Sequence, residues 1–266
     1  YLLEKQIKLL LLDVDGTLLP REEIILHKSV KEWIVEAKNN LNIHLLSNNP
    51  SKQFIELKNY YKRMHDEGIN LKNSKEKKPP EETYVGRSTL VFADLIKQII
   101  LKNKYSTLLD YGSGKGNIYF NKNNYNNKIY PPLKDYWNIK ETLYDPGINK
   151  FKKPSKNLFD ITISIDVLEH IPTQDLNWVI NEIFQFSKKA VFINVACYPA
   201  VALLPNGHNA HVSVFDPSWW FNLIYSIANE YKLKVFLICT KKNPNTEYYN
   251  YCINDNFDNY TIDLKN

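Results

Sequence analysis

The chain has 266 residues, of which 44% are hydrophobic and 24% are charged, so it can bury a core without disulfides or metals. These fractions exclude a disordered chain, a collagen and a disulfide scaffold. No apolar run reaches the roughly 18 residues that a membrane helix needs, so we expect no membrane partner.

The net charge of +5 comes from 34 basic and 29 acidic residues, and the lysines are spread along the chain. Nucleic-acid binding is usually marked by clustered charge, so the sequence does not indicate it. Three widely spaced cysteines, Cys197, Cys239 and Cys252, form no zinc pattern. They favour reduced thiols and a cytoplasmic protein. No pattern indicates an oligomeric state.

The first 80 residues predict a strand–helix–strand unit, then a helix and a linker. Apolar residues at helical spacing support the first helix, and a polar stretch ending in two prolines supports the linker. The predicted elements are a strand over 7–12, a helix over 28–40, a strand over 43–46, a helix over 51–66 and a linker over 72–80.

The rest of the chain predicts strands that alternate with helices, as in an α/β fold. Such alternation implies a parallel sheet covered on both faces, with ligands bound beyond the carboxyl ends of the strands. Residues just after each strand are therefore the candidates for a site. The predicted elements are helices over 89–103, 173–188 and 217–230, strands over 107–110, 142–145, 159–166, 190–196 and 233–239, and an exposed Asn-rich loop over 121–128.

Three of the eight glycines in the chain fall within residues 112–116, directly after a predicted strand. Glycine lets a backbone turn sharply and approach a ligand closely. The spacing departs from a dinucleotide fingerprint, because Asn117 stands where its third glycine belongs. It also departs from a P-loop, because Gly116 follows Lys115 where Ser or Thr is needed. The alternative is a tight turn without a ligand.

Residues 110–116 read Asp-Tyr-Gly-Ser-Gly-Lys-Gly, which resembles motif I of the class I S-adenosylmethionine-dependent methyltransferases. Asp145 ends the next predicted strand, and residues 159–172 resemble the family's later motif around Asp-Val-Leu-Glu-His. The resemblance covers about residues 59–245. It implies a Rossmann-like doubly wound, mostly parallel sheet, S-adenosylmethionine as cofactor and a small-molecule or carbohydrate-like acceptor.

The resemblance also implies a set of cofactor-binding residues. Asp145 would hold the ribose hydroxyls, and Asp166 with Val167 and Leu168 would line the adenine side. A helix cap or surface acid is the alternative for Asp145. The implied set is Asp110, Gly112, Ser113, Gly114, Gly116, Asp145, Asp166, Val167 and Leu168.

Methyl transfer is an in-line displacement, so positioning supplies much of the catalysis, and a base is needed only for a weak nucleophile. The candidate bases are Glu169, His170, His208 and His211. A hydrogen-bonded cap is the alternative for Glu169 and His170. Loop packing is the alternative for the two later histidines, which could also chelate a metal but have no third ligand nearby in sequence.

The N-terminal run Asp13-Val-Asp15-Gly-Thr-Leu resembles motif I of the HAD-like phosphatases. The family assigns Asp13 as nucleophile and Asp15 as acid and base, with Mg²⁺ bridging them, and Ser47 matches its phosphate-holding hydroxyl. Arg87 stands where a later metal-binding acid belongs. We therefore expect a remnant or truncated domain over the first 58 residues.

The expected organisation has four parts. They are a partial HAD-like segment over 1–58, a linker and first methyltransferase helix over 59–88, the S-adenosylmethionine-binding domain over 89–245, and a polar tail over 246–266. The alternatives to a methyltransferase are a Mg²⁺-dependent phosphohydrolase using Asp13 and Asp15, and a catalytically silent binding protein.

Overall fold

The computed structural model describes residues 8–13, 27–46, 50–154, 156–242 and 245–261. The chain divides into two compact units, residues 1–51 and 52–266, so residues 52–58 belong to the larger unit. The smaller unit contains a parallel strand pair in which Asp13 lies opposite Leu46. Its elements are β1 (Leu9–Asp13), α1 (Lys28–Lys38) and β2 (Asn42–Leu46).

The larger unit carries most of the helices and strands. The helices are α2 (Lys52–Glu67), α3 (Arg87–Val91), α4 (Ala93–Asn103), α5 (Asn117–Phe120), α6 (Leu133–Trp137), α7 (Leu176–Gln185) and α8 (Pro217–Ala228). The strands are β3 (Asn70–Leu71), β4 (Thr107–Tyr111), β5 (Asn123–Tyr125), β6 (Lys128–Tyr130), β7 (Lys140–Tyr144), β8 (Phe159–Ile165), β9 (Ser187–Ala196), β10 (Ala202–Leu203), β11 (Lys234–Lys242) and β12 (Thr246–Ile253).

A six-stranded sheet forms the centre of the larger unit, in the order β12-β11-β9-β8-β4-β7. The edge strand β12 runs antiparallel to β11, and the remaining neighbours are paired in parallel. The protein is therefore a mixed α/β fold with a mostly parallel sheet. The carboxyl ends of β4, β7 and β8 consequently meet at one edge.

Both faces of this sheet are buried. Along β9, Phe192 packs into one hydrophobic cluster, whereas Val191 and Ile193 pack into another. Side chains of a strand alternate between its faces, so the two clusters lie on opposite sides. Helices α4 and α6 supply the first cluster, and α7 and α8 supply the second. Within the described ranges, no helix has the length and apolar character needed to cross a membrane.

The composition predicted a plain exposed loop over 121–128, and the structure differs from that prediction. This stretch contains β5 and the start of β6, which form an antiparallel hairpin. Asn126 and Asn127 turn this hairpin with φ of 48° and 59°. Asn adopts left-handed backbone more readily than other non-Gly residues, and a two-residue turn of this kind matches the twist of a hairpin.

Two further segments differ from the prediction. The predicted polar tail begins with β12, a tyrosine-rich strand. It pairs with β11 and forms a half-exposed edge of the sheet. The predicted linker over 72–80 is also paired, because Lys78 forms a bridge with Ile69 and the Lys72 N–H donates to the Val201 carbonyl oxygen at 2.9 Å. Both segments satisfy their backbone groups through distant partners, which local composition does not report.

Candidate functional site

The glycine loop, residues 112–116, follows β4. It is packed so tightly against its surroundings that a residue with a Cβ does not fit at Gly112 or Gly114. A Cβ on Gly112 would lie 2.3 Å from Val167 Cγ2, and one on Gly114 would lie 2.3 Å from the Tyr84 carbonyl oxygen. Both glycines have positive φ, a backbone conformation that is energetically unfavourable for residues with a Cβ. The loop therefore brings bare backbone to the edge where β7 and β8 end.

Asp145, the residue after β7, holds this loop in place. Its Oδ2 accepts a hydrogen bond from the Gly114 N–H at 2.8 Å, and its Oδ1 accepts one from the Gly147 N–H at 2.8 Å. The side chain is buried, yet it faces a cavity. Each carboxylate oxygen has two acceptor positions, so one on each oxygen is left for a ligand hydroxyl.

The loop offers no backbone donors to a phosphate. The N–H groups of Gly112 and Ser113 both donate to the Tyr144 carbonyl, at 2.8 and 3.1 Å. Those of Lys115 and Gly116 donate to the carbonyls of Tyr84 and Ser113, and that of Gly114 donates to Asp145. A phosphate cradle needs such donors free. The loop suits a ligand that makes van der Waals contact with it and hydrogen bonds to Asp145.

A cavity of about 320 Å³ lies at this edge of the sheet. This volume is in the range of small-molecule sites. The described residues that line it come from the glycine loop, the ends of β7 and β8, α2 and residues 82–89. Helix α2 and residues 82–89 fall largely within the predicted linker and first methyltransferase helix. The search for residues that follow the strands therefore did not find them.

The wall from α2 is aromatic. Tyr61 and His65 are one helical turn apart and line the cavity, and the His65 ring lies 4.4 Å from the Tyr84 ring. His65 Nε2 is 3.9 Å from Asp145 Oδ1. Burial lowers the pKa of His65, and the Asp145 carboxylate opposes that shift. The i, i+4 spacing of the two rings was the signal that could have indicated this wall.

Asp166 follows β8 in a left-handed conformation, with φ of 60°. Its Oδ2 accepts a hydrogen bond from Ser88 Oγ at 2.9 Å. Asp166, Val167 and His170 line the cavity, whereas Leu168 is fully buried in the hydrophobic core.

The implied cofactor residues thus fall into two groups. Those that line the cavity together are Gly112, Ser113, Gly114, Asp145, Asp166 and Val167. Asp110 is instead buried and accepts a hydrogen bond from Tyr119 OH at 2.8 Å. Burial raises the pKa of Asp110 to about 7, and the Asp145 charge adds to the shift. Gly116 is buried against Leu143, so it shapes the loop rather than the cavity surface.

The candidate bases occupy different environments. His170 lines the cavity, and its Nδ1 lies 3.0 Å from the Ala210 carbonyl oxygen and 2.9 Å from Tyr61 OH. Burial lowers the pKa of His170, and the Asp166 carboxylate opposes that shift. His208 is exposed and does not belong to the described cavity lining.

Glu169 and His211 are buried and are not among the described residues that line the cavity. Glu169 is fully buried, its Oε1 accepts the Ala196 N–H at 2.7 Å, and burial together with the Asp166 charge raises its pKa well above the ordinary value. His211 Nδ1 lies 2.6 Å from the Tyr198 carbonyl oxygen, and burial lowers the pKa of His211 to about 4.

In the smaller unit, Asp13 is the last residue of β1, and Ser47 directly follows its partner strand. Asp15 and Ser47 lie outside the described residues. The phosphatase-like site, including its Mg²⁺, therefore stays a prediction.

No protein-family model matches the chain, and a search of curated proteins found no significant match. The function has to be argued from the geometry of the site.

Proposed function

We propose that the chain is a class I S-adenosylmethionine-dependent methyltransferase for a small-molecule or carbohydrate-like acceptor, built on a Rossmann-like doubly wound sheet. One observation carries this proposal. The Asp145 carboxylate accepts the Gly114 N–H at 2.8 Å on the wall of a cavity at the carboxyl ends of β4 and β7. A carboxylate tied to a glycine loop at this edge suits a ribose bound beside bare backbone.

The remaining chemistry of the cavity supports a nucleoside with a charged amino-acid arm. Asp145 keeps acceptor positions for two ribose hydroxyls, and Asp166 adds a second carboxylate on the wall. Arg87 also lines the cavity and forms no ion pair with any described residue, so its guanidinium is available to a ligand carboxylate. Because the loop N–H groups are already bonded, a dinucleotide fits this site poorly.

S-adenosylmethionine would supply an activated methyl group, and the protein would position the acceptor. Among the candidate bases, His170 is the one on the cavity wall. Its Nδ1 carries the hydrogen, because the Ala210 carbonyl can only accept and the Tyr61 hydroxyl already donates its hydrogen to that carbonyl at 2.7 Å. Nε2 of the neutral ring therefore keeps a lone pair, and His170 can take a proton from an acceptor hydroxyl.

The test is calorimetric titration of the full chain with S-adenosylhomocysteine. Binding is expected in the wild type, and Asp145→Ala should weaken it by about 100-fold, since two hydrogen bonds to a charged group are lost. Asp135→Ala is the matched control, because Asp135 is an exposed acid outside the described cavity lining, and it should bind like the wild type.

Folding is checked on the same samples by melting curves. At a hundredfold excess over the dissociation constant, the ligand should stabilise the wild type by about 2.7 kcal/mol. Asp145→Asn retains one acceptor and serves as a milder variant if Asp145→Ala does not fold. Absence of binding by folded wild type, or equal binding by the Asp145 variants, would contradict the proposal.

A further inference from the structure

Two side chains from the turn after β8 and one from a segment about 40 residues further along the chain converge at the end of this strand. Asp166, Glu169 and His211 each offer a ligand atom, and these atoms all lie within 4.8 Å of one another. His211 lacked a further ligand near it in sequence, and the fold supplies two carboxylates from the turn after β8. We call these three residues the carboxylate–histidine cluster.

Glu169 is the member whose environment is least satisfied. Its side chain is fully buried, and Oε1 accepts the Ala196 N–H at 2.7 Å. Its other oxygen, Oε2, is also buried and has no donor among the described residues, and a hydrogen bond to the Asp166 carboxylate requires a proton on one of the two groups. A buried carboxylate oxygen beside a second carboxylate is unfavourable unless a proton or a cation lies between them.

His211 can offer a lone pair on its remaining nitrogen to a ligand. A carbonyl oxygen can only accept, so the Nδ1–H of His211 donates to Tyr198 at 2.6 Å and leaves the lone pair on Nε2. Histidines that bind metals commonly donate their other N–H to a carbonyl in this way. Asp166 has a similar outer partner, since Ser88 Oγ donates to its Oδ2 at 2.9 Å.

We propose that the carboxylate–histidine cluster binds one divalent cation. Ligands bonded to one ion at about 2.1 Å lie about 3 to 4 Å apart, so a small closing of the cluster suffices. Two carboxylates with one imidazole favour a first-row ion such as Mn²⁺ or Zn²⁺ over Ca²⁺ or Mg²⁺, which prefer oxygen alone.

The proposed ion would border the cavity, because Asp166 belongs both to the cluster and to the cavity wall. Three protein ligands leave coordination positions for water or for an oxygen of a cavity ligand. The proposal does not depend on the methyltransferase assignment. The competing occupant is a single proton shared by Asp166 and Glu169, and the experiment separates the two.

The test uses the full chain after treatment with a chelator, titrated with Mn²⁺ and with Zn²⁺ in a calorimeter. One ion per chain is expected. Glu169→Gln keeps the acceptor for the Ala196 N–H, and Asp166→Asn suits the left-handed backbone, so both should fold. Each should weaken binding at least tenfold. His208→Ala, an exposed histidine near His211 in sequence, should leave the affinity unchanged.

A spectroscopic readout identifies the histidine. Electron paramagnetic resonance of the Mn²⁺ complex should show coupling to one imidazole nitrogen, and His211→Gln should abolish it. Asp145→Ala lies outside the cluster and should still bind the metal, so failure of donor binding is distinguishable from failure of this site.

The proposal is overturned if folded wild type binds neither ion, or if both amide variants bind as the wild type does. Loss of binding in His208→Ala would instead assign the ion to the surface. A wild type that binds no metal and melts at the same temperature as Glu169→Gln would identify the shared proton.

Discussion

The two units of the chain carry the same local sequence pattern, but the sheets that hold it differ in size. In each, an apolar strand carries an aspartate at its end or one residue before it, Asp13 or Asp110, and a glycine follows within three residues. The smaller unit places its aspartate on a two-stranded sheet, whereas the larger unit places its own inside a six-stranded one. The same strand–aspartate–glycine motif can therefore be compared on two different sheets within one molecule.

The side chains whose burial is described differ between the two units. In the smaller unit, Ile34 and Leu41 are buried, whereas Leu9 of β1 and Val35 of α1 are 52% and 67% exposed. In the larger unit, every residue of β8 is buried. A site needs its groups held within a fraction of an ångström, so a motif alone does not define a working site.

The largest effect is expected at the glycine loop. A Cβ at Gly114 would lie 2.3 Å from a backbone oxygen of Tyr84, so Gly114→Ala should destabilise the larger unit by about 4 kcal/mol and abolish ligand binding. Gly207→Ala is the control. Gly207 also has positive φ, of 85°, but apart from its two chain neighbours no atom of the described residues lies within 4 Å of its Cβ position. It should cost only about 1 kcal/mol in a denaturant titration.

Equal losses in these two variants would mean that backbone conformation, and not the close approach of Tyr84, makes Gly114 necessary.

A core substitution in each unit tests the difference in burial directly. Ile163 in β8 is fully buried, so Ile163→Ala should lower the free energy of unfolding by about 3 kcal/mol. Ile34→Ala should leave the calorimetric transition of the larger unit unchanged. If Ile34→Ala lowers that transition as much as Ile163→Ala does, the two units unfold together and the comparison between them fails.

The smallest effect concerns Asp110, whose pKa is raised to about 7 mainly by burial. Because the folded pKa exceeds the unfolded one, its stabilising contribution is present below about pH 4 and is lost as the pH rises through 7. Asp110→Asn keeps an acceptor for Tyr119 OH and removes this loss. Relative to wild type, the free energy of unfolding of the variant should rise by about 2 kcal/mol between pH 4 and pH 8. This is less than the full pKa shift implies, because the site can relax.

Urea titrations at both pH values measure this gain. A difference between the two proteins that does not change with pH would show that Asp110 is not the titrating group.

The sequence by itself determined, to within one residue, where β4, β7, β8 and β9 end and which residues follow them. The glycine loop and Asp145 could be expected to meet, because consecutive parallel strands place their carboxyl ends at one edge. The helices α4 and α7 also followed from local periodicity, with end points shifted by a few residues. Such features depend on neighbours within a few residues along the chain.

Only the tertiary structure decided which way the functional side chains turn. It placed Tyr61 and His65 of α2 on the cavity wall, turned Asp110 away toward Tyr119, and brought His211 to Asp166 and Glu169. The contacts of α2 and of His211 join segments that are far apart in sequence, and the contact between Asp110 and Tyr119 spans nine residues. Their formation depends on packing across the sheet edge, and a local pattern does not encode it.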